Sequence, residues 1–163
     1  MSMLYTELTK KALRIAFQAH KNQLDKAGLP YIYHPIHLAE QMETEAEICV
    51  ALLHDVVEDT EITLDDLKEQ GFDDNILYAL KLLTHDSSMP YMDYVKRIKR
   101  CSALARKVKL ADLKHNSDLT RLEQVSDADR SRVSKYHQAI SLLSLDNARI
   151  YGAIFGDIIG SKY

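Results

Sequence analysis

Apolar residues recur along most of this chain at spacings of three and four, the period of a helix with one buried face. Leu4, Leu8, Ala12, Ile15 and Ala19 form the first such series, and Lys26-Ala27-Gly28-Leu29-Pro30 reads as the break that ends it. Ile36 to Met42 predicts a short helix, and a second one starts near Glu43 or Thr44 and runs through Val57. Thr63-x-x-Asp66 ahead of Leu67 has the form of a helix start with an acidic first turn. Ile76 to Leu83 and Tyr91 to Ile98 are two more periodic stretches, parted by the breaker Ser87-Ser88-Met89-Pro90. A helix through Leu104, Val108, Leu110 and Ala111 follows, and Asp127 opens a last long one with Val133, Ile140, Leu143 and Ala148 on its apolar side. No stretch keeps the alternation of a strand for long. The pattern predicts an all-α, compact multi-helix body.

Composition narrows the class. At 163 residues the chain can build one sizeable core, and 46% hydrophobic with 28% charged residues describes an ordinary globular protein. A net charge of −3 argues against wholesale nucleic-acid binding, which needs a basic face. No apolar run reaches the length of a membrane span, and Met1 to Lys10 lacks the pattern of a signal peptide. Two cysteines make no disulfide framework, and Cys49, inside Ile48-Cys49-Val50-Ala51-Leu52-Leu53, reads as a small core residue. These features predict a cytoplasmic protein without a membrane.

The chemistry concentrates in Leu52-Leu53-His54-Asp55-Val56-Val57-Glu58-Asp59-Thr60. On a helix, offsets of one, four and five bring His54, Asp55, Glu58 and Asp59 to a shared face. An imidazole and a carboxylate directly after an apolar run face desolvation unless a cation or hydrogen bonds compensate. Glu58 and Asp59 alone also read as a solvated helix end. Two sites elsewhere can complete a cation shell. His34 lies in Tyr31-Ile32-Tyr33-His34-Pro35, just before the short helix, with His37 as its competitor three residues on. Asp112 ends the apolar run Val108-Lys109-Leu110-Ala111, with Asn116 one turn later. Two imidazoles and two carboxylates without thiolate suit Mn²⁺, Fe²⁺ or Zn²⁺ at a reactive centre. Such a metal acidifies its water and polarises phosphorus, and Glu58 and Asp59 are placed to orient that water and move protons.

The order His34, then His54-Asp55, then Asp112 resembles the H…HD…D signature of the HD-domain metal-dependent phosphohydrolases. Within that family the chain is similar to the hydrolase domain of the RelA/SpoT homologues, which remove the 3′-pyrophosphate of the alarmone (p)ppGpp. The matching stretches are Gly28-Leu29-Pro30-Tyr31-Ile32-Tyr33-His34-Pro35, Ala51 to Thr60, and Lys109-Leu110-Ala111-Asp112-Leu113-Lys114-His115-Asn116. The resemblance implies an HD-domain fold over 1–150. It makes His34, His54, Asp55 and Asp112 the ligands of one divalent metal, Mn²⁺ first. It also makes Glu58 and Asp59 the hydrolytic pair and places Lys26 and Asn116 against the nucleotide. The reaction implied is (p)ppGpp to GDP or GTP plus pyrophosphate. Hydrolysis of another nucleotide or nucleoside phosphate, or nucleotide sensing without turnover, are the alternatives.

The chain departs from this family where the base binds. Asp25-Lys26 stands in place of an arginine-lysine pair, and Asp118 occupies a position where the family often has arginine. A carboxylate does not stack on a purine as a guanidinium does, so both departures bear on guanine selectivity. Lys96 to Lys109 holds seven basic residues and no acidic one. It reads either as a phosphate-steering patch or as a solvated helix face. In the last dozen residues, Gly152, Gly156 and Gly160 punctuate Tyr151-Gly152-Ala153-Ile154-Phe155-Gly156-Asp157-Ile158-Ile159-Gly160-Ser161. This resembles the opening of the ADP-ribosylglycohydrolases and implies that 151–163 is the vestige or start of such a domain, as a fused or contacting partner. The other reading is an apolar helix that completes the core.

Overall fold

A computed structural model describes residues 5–145. The tail expectation over 151–163 and the last-helix position Ala148 lie outside the described residues. Among those described the chain forms α1 (Glu7–Ala19), α2 (Tyr33–Ala39), α3 (Glu45–Leu53), α4 (Val56–Asp59) and α5 (Leu64–Glu69). These are followed by α6 (Asp74–Leu83), α7 (Tyr91–Cys101), α8 (Ala103–Asn116) and α9 (Asp127–Ser144), with one 3-10 turn at Leu119–Arg121. The all-α expectation holds; one isolated bridge, Leu24 to Pro30, pins a loop. No described helix is long and apolar enough to cross a membrane.

Side-chain caps set most of the starts. Thr6, Thr44, Thr63 and Ser126 each accept from the third helical N–H while that residue's side chain returns to the cap backbone. The Thr63-x-x-Asp66 reading is borne out by this pair. In α3 every residue from Ile48 to Leu53, Cys49 included, is at 0% exposure. A helix apolar all round belongs in the interior. It packs against α1, α2, α6 and α8, and α8 also contacts α2, α7 and α9. The first turn of α2, the end of α3 and the second half of α8 therefore meet.

Three boundaries differ from the periodicity. α1 stops at Ala19 with His20 as its cap, well before Lys26. The loop beyond is shaped by Gly28 at φ 76° and by Asp25 Oδ1, which accepts the N–H groups of Ala27 and Leu29 at 2.8 and 2.9 Å. α2 runs from Tyr33 to Ala39, so His34 and Pro35 sit inside its first turn. Proline fits there because the first N–H groups of a helix have no partner in the ladder. The helix expected through Val57 breaks at His54–Asp55, between α3 and α4. The His54 ring bonds the Ala51 carbonyl at 2.8 Å, the group to which the Asp55 N–H points in a continuous helix.

Candidate metal centre and catalytic cavity

His34 from α2, His54 from the end of α3 and Asp112 from α8 are all buried, at 3%, 3% and 5% exposure. One donor atom of each lies within 4.8 Å of the others. His34 Nε2 stands 3.2 Å from Asp112 Oδ1, and His54 Nε2 stands 3.9 Å from the same oxygen. Asp55 approaches from the break: its Oδ2 lies 2.9 Å from His54 Nε2 and 3.8 Å from His34 Nε2. Neither Nε2 makes a hydrogen bond. The choice between the two histidines of α2 is decided by burial, since His37 is exposed and its ring lies tilted against His115 instead.

A surrounding set of contacts orients the four groups. His54 Nδ1 donates to the Ala51 carbonyl, which leaves Nε2 facing the cluster. His34 Nδ1 lies 2.7 Å from His115 Nδ1. Tyr31 donates its hydroxyl to Asp55 Oδ2. Asn116 Nδ2 donates to Asp112 Oδ1 at 2.6 Å, and Lys109 Nζ to Asp112 Oδ2 at 2.8 Å. Electrostatics follow from this crowding. Burial works against a charged His54, but the Asp55 and Asp112 carboxylates overcome it and push its pKa up to about 9. Burial likewise opposes the Asp55 carboxylate, yet His54 beside it brings the group down to about 2. Asp112 is held well below the usual carboxylate range: Lys109 and the two imidazoles outweigh its burial. Lys109, itself desolvated, is held well above the usual lysine value by Asp112.

The cluster opens on a cavity of about 490 Å³. Its walls carry Asp55 and Asp112 together with Glu58, Asp59, Lys26 and Asn116, so six of the residues singled out from sequence line one space. Glu58 stands at the rim, where partial loss of water lifts its carboxyl and the His85 N–H, at 3.3 Å, opposes the rise. Asp59 accepts from Gln23 Nε2 at 3.2 Å, and Gln23 is held in turn by His20 Nδ1 at 2.7 Å. An adjoining pocket of about 260 Å³ shares Lys26, Tyr31, Asn116 and Tyr136 and reaches His34. Its own walls mix apolar groups, Leu24, Leu119 and Leu122, with Asp25, Arg121 and Arg132.

The two departures acquire structural roles here. Asp25 forms a 2.6 Å ion pair with Arg121, brought from 96 residues away, so a guanidinium does stand in this pocket. Asp118 caps the 3-10 turn through Thr120. The basic segment does not act as a unit. Lys109 reaches the cavity, whereas Lys107 binds Glu43 and Glu47, Lys96 binds Asp93, and Arg106 donates to the Leu143 and Leu145 carbonyls beside the end of α9. Sequence reasoning gave no role to Tyr31, His115, Gln23 or Arg121, and gave Lys109 one only as part of the basic segment. Lys109 and His115 flank Asp112 at three residues on either side along α8, a spacing that could have flagged both.

No family model matches the chain. Among characterised proteins, it is 36% identical over 134 residues to guanosine-3′,5′-bis(diphosphate) 3′-pyrophosphohydrolase MESH1 of Danio rerio, an alignment covering 74% of each chain. The human protein of the same name is 36% identical over 124 residues, 68% of this chain and 69% of its own. This chain belongs to the MESH1-type HD-domain family. The family link extends to a GTP pyrophosphokinase of Myxococcus xanthus, 31% identical over 146 residues, of which the match spans only 19%. A solved structure described as a metazoan orthologue of SpoT that hydrolyses ppGpp and plays a role in starvation responses has the same fold. Its TM-score is 0.72 at 23% identity, with 97% of this chain and 99% of that chain covered.

The residues of this MESH1-type chain fit a divalent cation on their own chemistry. Two buried imidazole nitrogens lack a hydrogen bond and face two carboxylates, a converging set of donor atoms that a cation would satisfy. The donor set is nitrogen and oxygen only, and the second nitrogen of each imidazole is engaged elsewhere.

Proposed function

We propose that the chain is a metal-dependent 3′-pyrophosphohydrolase of (p)ppGpp-type nucleotides, releasing GDP or GTP and pyrophosphate. The observation that carries this reading is the pair of unbonded buried Nε2 atoms beside Asp55 and Asp112, at the edge of a cavity that also holds Glu58, Asp59 and Lys109. The names of the relatives support the substrate. His34, His54, Asp55 and Asp112 would hold one cation, Mn²⁺ first, with Fe²⁺ or Zn²⁺ compatible with the same donors. When bound, that ion acidifies a water and polarises the phosphorus centre.

The rest is the work of the chain. Tyr31 keeps Asp55 aimed by donating to it, and Asn116 and Lys109 do the same for Asp112. Glu58 and Asp59 orient the attacking water and take its proton, and the proton returns to the departing ribose 3′-oxygen. Partial loss of water lifts the Glu58 carboxyl, so it holds a proton more readily than an exposed carboxylate does. Lys109 and Lys26 set positive charge beside the pyrophosphate in the larger cavity. The smaller pocket, with Leu24, Leu119, Leu122 and Tyr136, takes the nucleoside. A reaction on free nucleotides supports a cytoplasmic location.

The test is a panel of ppGpp, pppGpp, pppApp and ordinary nucleotides incubated with Mn²⁺. Pyrophosphate release from the 3′-pyrophosphorylated members is expected. Release of phosphate from simple monophosphates alone would move the chain to another nucleotide substrate. Tight alarmone binding without turnover would make it a sensor.

A further inference from the structure

Two groups converge on His115 Nδ1: Arg121 Nη1 at 3.1 Å and His34 Nδ1 at 2.7 Å. A guanidinium carries donors only. His115 Nδ1 therefore presents its lone pair, and the proton between the imidazoles sits on His34 Nδ1. We propose that Arg121 is a positioning residue that fixes the tautomer of His34 through His115. The inference rests on the metal-centre reading in one respect: the tautomer so fixed turns the lone pair of His34 Nε2 toward the cation site. The opposite tautomer would keep the bond between the rings with its direction reversed, but would set an N–H of His115 against an N–H of Arg121 in a half-buried site and forfeit that hydrogen bond.

The arrangement is built to hold. The His34 and His115 rings stack with centroids 4.8 Å apart and planes 25° from parallel. Arg121 Nη1 also donates to the His115 carbonyl at 3.3 Å, so ring and backbone are gripped together. Asp25 Oδ2 takes Nη2 of Arg121 at 2.6 Å, while its Oδ1 is anchored by the N–H groups of Ala27 and Leu29. This gives a reason for a carboxylate at position 25: it holds an arginine delivered from beyond α8. The loop that carries Lys26 is thereby joined to a candidate metal ligand through Asp25, Arg121 and His115. His54 needs no such device, because the Ala51 carbonyl fixes it directly.

The experiment uses the full chain with ¹⁵N-labelled histidine, metal-free, and long-range ¹H–¹⁵N correlation spectra taken over a series of pH values. The expected result is an Nδ1–H tautomer at His34 and an Nε2–H tautomer at His115. Arg121→Met should mix or invert the tautomer at His34 and weaken Mn²⁺ binding by about 10–100-fold, the usual loss when a ligand's outer partner is removed. Arg121→Lys, which still donates, should restore the His34 tautomer. An Nε2–H tautomer at His34 in the wild type overturns the proposal, and that spectrum requires no variant to fold. So does a folded Arg121→Met protein with unchanged tautomer and unchanged Mn²⁺ affinity. A wild type with the expected tautomers that takes up no Mn²⁺ bears out the role of Arg121 and sinks the metal-centre reading.

Discussion

Raising the pH should destabilise the metal-free protein in a window where most globular proteins are indifferent. The cause is His54, buried beside Asp55 and Asp112, with its pKa pushed from the ordinary 6.5 to about 9. A group whose folded pKa is raised contributes stability that is complete below its unfolded value and disappears as the pH climbs through the folded one. The window is therefore about pH 6.5 to 9. Each tenfold change in proton affinity is about 1.4 kcal/mol, so the full loss is about 3 kcal/mol. His54 and Asp55 share one attraction, and counting it once at His54 avoids doubling it. Urea unfolding in chelator, at steps across this window, measures the effect directly. With saturating Mn²⁺ the loss should vanish, because the cation replaces the proton and binds more tightly as His54 empties. His54→Gln should flatten the metal-free profile. A metal-free wild type of constant stability from pH 6.5 to 9 would refute the electrostatic account of the cluster.

Other expectations are simpler to check. Glu58→Gln combined with Asp59→Asn should leave Mn²⁺ bound, by elemental analysis, and lower kcat by about 10²–10⁴-fold; undiminished turnover would return both carboxylates to a solvated helix end. Gly28→Ala meets no atom within 4 Å, so its cost is the backbone at φ 76° alone, about 1 kcal/mol in chemical denaturation. A variant as stable as the wild type would show that the loop relaxes. Deletion of residues 151–163 should change stability by no more than about 1 kcal/mol if that segment belongs to a second domain. Unfolding on truncation would make it part of this core.

Helix content was open to reading because it depends on local period and local caps. The apolar stripe of α6, the breaker before α7 and the Thr63–Asp66 box are all short-range features. Boundaries failed where a side chain reached the backbone in a way that period does not encode. His20 ends α1 early, and the His54 ring takes up the Ala51 carbonyl, so the expected helix divides at the residues that matter most.

For the site, the ordered motifs named the six charged and polar residues that line one cavity, together with His34 and His54 behind it. For His54, Asp55 and Asp112 the reason is that each ends or interrupts an apolar run, where an ionisable side chain has no bland explanation. Lys26 and Asn116 took their roles from the family resemblance, and Glu58 and Asp59 from that resemblance together with the helix face expected to join them to His54 and Asp55. What surrounds those residues was beyond the sequence. Lys109 and His115 lie within one turn of Asp112, yet which of them turns inward depends on how α8 rests against α2 and α3. The roles of Gln23 and Arg121 depend on contacts across 36 and 96 residues, for which no local spacing exists. Amino-acid order alone singled out the candidate groups for the chemistry, because burying charge is costly wherever it happens. Packing decided which way they point, because a hydrogen bond needs its partner within about 3 Å, and only the folded chain brings those partners together.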